Sequence, residues 1–123
     1  MIDKNSFKLS VVIPCYNENR TINLIIDKII NSLNIYGYKN FEIIIVDDCS
    51  TDGTKETLKK LELKKNIKVF SHDHNLGKGA AIKTAIQHVC GDLLLIQDAD
   101  LEYDPFDYDK LLLPFFETDA DIV

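Results

Sequence analysis

The stretch F-E-I-I-I-V-D-D-C-S-T-D, residues 41–52, decides the fold class. Its first six residues carry an unbroken aliphatic core, Ile43 to Val46, with no polar alternation. A short continuous apolar run of this kind fits a strand buried on both faces, as in a parallel sheet. The run stops at Asp47-Asp48, and either Thr51 or Asp52 is placed to cap a following helix carrying Leu58 and Leu61. Upstream, residues 9–13 form a similar run ending at Pro14. Between the two, Ile22, Ile25, Ile26, Ile29, Ile30 and Leu33 fall on one helical face. Downstream, residues 67–70 predict a third strand and residues 77–89 a helix through Ile82, Ala85, Ile86 and Val89, with Cys90-Gly91 as its stop. Residues 93–96 predict a fourth strand, residues 107–116 another helix, and residues 121–123 the opening of a fifth strand. Strands alternating with helices imply a Rossmann-like α/β fold, a mainly parallel sheet with helices on both faces.

The totals agree with one globular domain: 123 residues, 46% hydrophobic and 28% charged. The net charge of −6 disfavours nucleic acid as a partner, and a phosphate ligand would need a cation to mediate. Cys15, Cys49 and Cys90 are widely spaced and form no CxxC pair, so neither a disulfide framework nor a zinc site is expected. The N-terminus lacks a signal-peptide pattern, and no apolar run approaches the roughly 20 residues of a membrane span. A cytoplasmic location is the expectation.

In an open parallel sheet, ligands bind beyond the carboxyl ends of the strands. Three such ends are polar here: P-C-Y-N-E after the first strand, D-D-C-S-T-D after the second and Q-D-A-D-L-E-Y-D-P after the fourth. The last places four carboxylates between Asp98 and Asp104, an arrangement that a divalent cation would relieve. Neither GxGxxG nor GxxxxGK[ST] is present, which removes the usual dinucleotide and P-loop cradles. His72 and His74 read as solvated loop residues rather than a metal pair. Lys59, Lys60, Lys64 and Lys65 read as a solvated surface.

Four motifs in order, V-V-I-P-C-Y-N-E, I-I-I-V-D-D-C-S-T-D-G-T, N-L-G-K-G-A-A-I and G-D-L-L-L-I-Q-D-A-D-L-E-Y-D-P, closely resemble family 2 glycosyltransferases of the GT-A fold. Enzymes that move a sugar onto a polyprenyl phosphate are the nearest subgroup. The resemblance covers nearly the whole chain. It implies that residues 1–123 are the nucleotide-sugar-binding part of an inverting transferase domain truncated at its C-terminus. The missing half would carry the acceptor site, the catalytic base and any membrane anchor. It implies a UDP-sugar or GDP-sugar donor, an acceptor such as a polyprenyl phosphate or a cell-envelope glycan, and Mg²⁺ or Mn²⁺. Pro14, Tyr16 and Glu18 would line the base and ribose pocket, with Asp48 accepting from the base and Asp47 beside it. Lys78 would approach the diphosphate or sugar. Asp98 and Asp100 match the family's D-x-D, Asp100 as the surer metal ligand and Asp98 facing ribose and metal, and Glu102 falls where a further metal ligand can stand. Cys15 and Cys49 depart from the pattern, Cys49 standing where Gly, Asn or Ser is usual. The alternatives are a nucleotide-diphosphate and metal-binding fragment without transfer, and a sugar nucleotidyltransferase, whose Gly-rich stretch after the first strand is lacking.

Overall fold

The computed structural model describes residues 7–99. Four strands, β1 (Leu9–Cys15), β2 (Phe41–Asp47), β3 (Ile67–Ser71) and β4 (Leu93–Ile96), alternate with α1 (Ile22–Ile35), α2 (Thr54–Leu61) and α3 (Lys78–Ile86). All three pairings are parallel, and the order is β3-β2-β1-β4. The chain thus adds strands outward on one side of β1 and then crosses to the other, creating the switch point at the carboxyl ends of β1 and β4. The helix expected over residues 107–116, the strand opening at residues 121–123, Asp100 and Glu102 lie outside the described residues.

The expected continuous burial is present, since every residue of β1 and β2 is buried. Side chains alternate between the faces. Val11, Ile13, Ile43 and Ile45 pack with Ile22, Ile25, Ile26 and Ile29 of α1 and Leu58 of α2. Val12, Ile44 and Val46 face Ala81 and Ala85 of α3, so helices cover both faces. Small alanines on α3 let that helix lie close to the sheet.

Strand β1 runs two residues past the expected end at Ile13. Pro14 is tolerated inside it because the β4 pairing stops at Val12 opposite Ile96. The Val12 carbonyl faces β4, where it accepts from the Gln97 N–H, and the next residue facing that way is Pro14. Among the described residues no strand pairing extends there to ask Pro14 for the N–H it lacks.

Helix α3 ends earlier than the expected residue 89, continuing only as turns from His88 to Ala85 and Val89 to Ile86. Gly91 does not act as a left-handed cap. A Cβ there would lie 2.4 Å from the Ser10 hydroxyl and 2.8 Å from the Lys8 carbonyl, so Gly91 is required for close approach to β1. A buried polar group fixes this corner. Glu42, 2% exposed, accepts from the Ser10 hydroxyl at 2.6 Å and the Cys90 N–H at 2.7 Å, while Ser10 accepts from the Gly91 N–H at 2.9 Å.

Candidate functional site

The loops after β1 and β2 hold each other. The Asn17 N–H donates to Ser50 Oγ at 2.9 Å, and Asn17 Oδ1 accepts from the Thr51 N–H at 2.7 Å. Asn19 Oδ1 accepts from the Thr57 hydroxyl at 2.6 Å. Asp52, not Thr51, supplies the cap-like bond ahead of α2, accepting from the Thr54 N–H at 3.1 Å with Gly53 intervening at φ 95°. Asn17 at φ 52° and Cys49 at φ 65° are left-handed. Gly and Asn enter that conformation most readily, so a cysteine at position 49 carries a local conformational cost. The end of β4 joins this group through the Thr21 hydroxyl, which donates to the Ala99 carbonyl at 2.6 Å.

Asp47 and Asp48 separate. Asp47 shares the β2 face of Ile43 and Ile45 and is fully buried; its Oδ1 accepts from the Ser50 N–H at 3.3 Å and from the Ser50 hydroxyl. Its Oδ2 has no hydrogen-bond partner among the described residues. Beside it, the Cys15 thiol is pushed up to about 12, first by burial and then by the charges of Asp47, Glu18 and Asp52. Asp48 turns toward the β3–α3 connection. Its Oδ1 accepts from the Leu76 N–H and lies 2.8 Å from His72 Nδ1, and its Oδ2 accepts from the Gly77 N–H, each bond 2.8 Å. Burial alone would raise the Asp48 carboxyl, but the Leu76 amide, His72 and the Gly77 amide outweigh it and hold the group below its ordinary value of 3.8.

His72 departs from the sequence expectation. It is not a solvated loop residue: its side chain is 9% exposed, and Nε2 lies 2.7 Å from the Thr84 hydroxyl of α3. Register explains the burial, because Ser71 pairs with Asp47 and the His72 N–H donates to the Asp47 carbonyl, carrying β3 alongside the end of β2. His74 is exposed, as expected.

A cavity of about 370 Å³ opens at the switch point. Pro14, Tyr16, Glu18, Asp48, Lys78 and Asp98 all line it, drawn from four separate segments of the chain. Lys78 Nζ lies 2.5 Å from Asp98 Oδ1. Asp47 is not in the lining, which instead adds Cys15, Asn75, Gly77, Ala81 and Ala99. All five fall within the motifs quoted from the sequence, but Ala81 and Ala99 are wall residues without a polar signature. Among the described residues no three His, Cys, Asp or Glu side chains converge as a metal site. No described helix is long and apolar enough to cross a membrane.

The comparisons with known proteins agree with this fold. The profile of Glycosyl transferase family 2 matches residues 10–123. A dolichyl-phosphate beta-glucosyltransferase of Trichomonas vaginalis is 39% identical over 105 residues, which cover 81% of this chain and 32% of that protein. The Staphylococcus aureus protein TarS, residues 1–349, in complex with UDP-GlcNAc superposes with a TM-score of 0.76 at 28% identity over 93% of this chain and 32% of that one. A mannosyltransferase of Pyrobaculum calidifontis in complex with GDP-Man and Mn²⁺ gives a TM-score of 0.69 at 29% identity, over 80% of this chain and 29% of that one. The chain therefore spans about a third of the length of the relatives it matches. With a family profile covering all but the first nine residues and the GT-A sheet seen in both structures, the chain belongs to glycosyl transferase family 2.

Proposed function

We propose that the chain is the donor-binding part of an inverting glycosyltransferase that moves a sugar from a nucleoside diphosphate to an acceptor, a polyprenyl phosphate first among the candidates. The observation that carries this reading is the cavity at the switch point, which brings together six residues that the resemblance to the family assigns to the donor. The T. vaginalis relative, named for glucosyl transfer to dolichyl phosphate, supports the acceptor class. The UDP-GlcNAc and GDP-Man complexes support a uridine or guanosine donor.

Electrostatics point the same way. Among the described lining residues Glu18, Asp48 and Asp98 face one lysine, Lys78, so the cavity cannot hold a diphosphate by its own charge. Asp98, with 18% of its side chain exposed, already holds an ammonium at 2.5 Å and offers the hard oxygen donors that Mg²⁺ or Mn²⁺ takes. Asp98, with Asp100 and Glu102 beyond the described residues, would hold the ion. When bound, such an ion supplies charge stabilisation to a departing diphosphate.

This chain's own residues would do the binding and orientation. Tyr16, 45% exposed, and Pro14 both line the cavity, where the Tyr16 ring would offer a face to the base. Asp48 would accept from a base N–H. Asp47, buried behind the loop and bonded to Ser50, would hold the end of β2 in place. Lys78, at the start of α3, would approach the diphosphate, where the first-turn amides also favour an anion. The acceptor oxygen would attack the anomeric carbon opposite the diphosphate, breaking the carbon–oxygen bond and inverting the centre. An acceptor phosphate is already anionic and needs no general base; a sugar hydroxyl would need one.

Calorimetric titration with UDP and GDP, with and without Mn²⁺, tests the reading. Metal-dependent binding to the wild-type chain that falls at least ~10-fold in Asp98→Ala is expected. Binding that ignores both the metal and Asp98 would overturn the assignment. Donor turnover in the same samples separates transfer from binding alone.

A further inference from the structure

We propose that His72 and Thr84 are positioning residues that leave Asp48 a single acceptor place for the base, and so select a uridine donor over a guanosine one. The proposal rests on the donor-binding reading of the cavity and goes beyond it by naming the nucleoside and the residues that choose it.

An ionised carboxylate offers about four lone-pair positions, two on each oxygen. Among the described residues, Asp48 has three of them filled. Oδ1 carries both His72 Nδ1 and the Leu76 N–H, and Oδ2 carries the Gly77 N–H. One place remains, on Oδ2 of a residue that lines the cavity. Uracil presents one ring N–H between two carbonyls and needs one such place. Guanine presents its ring N–H and exocyclic amino group side by side, a donor pair that matches both oxygens of a free carboxylate. With Oδ1 full, one guanine donor would be left unpaired or would have to displace His72 or Leu76, and an unpaired buried donor is costly.

His72 can hold Oδ1 because it is itself held. Its side chain is 9% exposed and that of Asp48 is 5% exposed, and Nε2 lies 2.7 Å from Thr84 Oγ1 on α3. The ionised carboxylate can only accept, so Nδ1 carries the proton. The Thr84 hydroxyl can donate to a bare Nε2 or accept from a protonated one, so the contact survives in either charge state of the ring. Thr84 thereby fixes the imidazole against Asp48, and the same bonds tie residues 72–77 to the end of β2.

The test compares UDP with GDP, which differ only in the base, by calorimetry with Mn²⁺ present. The wild-type chain is expected to prefer UDP by about tenfold or more, the discrimination that one unsatisfied hydrogen-bonding group gives. His72→Ala should narrow that preference to within about threefold, and Thr84→Val should narrow it less, each as a looser grip on Oδ1 requires. His72→Asn, whose side-chain amide can reach Oδ1 in place of Nδ1, should restore most of the preference. Amide hydrogen exchange at Leu76 and Gly77 should quicken in His72→Ala and not in His72→Asn. Equal affinity for the two nucleotides, a preference for GDP, or a preference unchanged in His72→Ala would overturn this proposal while leaving the donor site standing. Binding of neither nucleotide would overturn both.

Discussion

Replacing Gly77 by alanine separates a conformational requirement from a steric one. Gly77 has φ 98° and ψ 162°, a combination essentially confined to glycine. Both sides of the residue are held there: its N–H donates to Asp48 Oδ2 at 2.8 Å, and its carbonyl accepts from the Ala81 N–H at 3.1 Å. A Cβ at this position would meet nothing within 4 Å, so the cost of Gly77→Ala is torsional, about 1–3 kcal/mol. The stiffer unfolded chain returns roughly 0.4–1 kcal/mol of that, leaving a net loss of about 1–2 kcal/mol. Gly79, two residues on, is an internal control. It lies inside α3 without a positive φ, and its Cβ position is equally open. Gly79→Ala should therefore gain up to ~1 kcal/mol of helix propensity. The two substitutions differ in sign and by about 1–3 kcal/mol. With a urea m-value of roughly 1–3 kcal/mol/M, the unfolding midpoints should stand on the order of 1 M apart. If the Gly77→Ala midpoint equals or exceeds that of Gly79→Ala, the strain argument is wrong. Should the substituted residue escape its strain by rotating, it surrenders the bond to Asp48, and the hydrogen exchange of its own amide would reveal the exchange of one loss for the other.

The buried Glu42 should matter more as an acceptor than as a charge. Glu42→Gln can keep a carbonyl toward Ser10 and Cys90 and is expected to cost ~1 kcal/mol, whereas Glu42→Ala strands those donors and should cost about 3 kcal/mol in urea unfolding; equal losses would contradict this. Burial alone would raise the Glu42 carboxyl, but Ser10, Cys90, Lys68 and Lys8 hold it below its ordinary 4.5. A depressed folded value means that its stabilisation is complete above pH 4.5 and is lost as pH falls through the lower folded value. Asp48 has the same sign about its ordinary 3.8. Acid unfolding should accordingly set in below about pH 4.5, and the difference between wild type and Glu42→Gln should shrink there. For the thiols, Cys90 is exposed and Cys15 is buried with its thiol pushed up to about 12. A thiol-disulfide reagent at about pH 8 should modify Cys90 in the native chain and reach Cys15 only with unfolding; rapid native labelling of Cys15 would refute its placement.

What the sequence made legible follows from the range over which each feature is encoded. Burial on both faces writes itself into consecutive residues, so β2 can be read from Ile43 to Val46 without a partner, and α1 from the period of its isoleucines. The site is legible because a parallel sheet sends all its carboxyl ends to one edge, so polar residues after separate strands have to meet. The features missed are those that depend on which strand lies beside which. Asp47 and Asp48 look interchangeable as a dipeptide, yet one ends buried behind its loop and the other lines the cavity, because successive residues leave a strand in opposite directions. Gly91 looks like a helix stop, but the need for glycine comes from Ser10 and Lys8, distant in sequence and adjacent across the sheet. His72 is the strongest case. Its nearest signal is a second histidine two residues away, which suggests either solvent or metal. Its actual partners, Asp48 and Thr84, are 24 residues before it and 12 after it. Neither can be inferred until β3 is set beside β2 and α3 is laid across the sheet. Residues that touch a ligand can thus be found by type and position, whereas the residue proposed to choose among ligands acts through a neighbour that only the fold supplies.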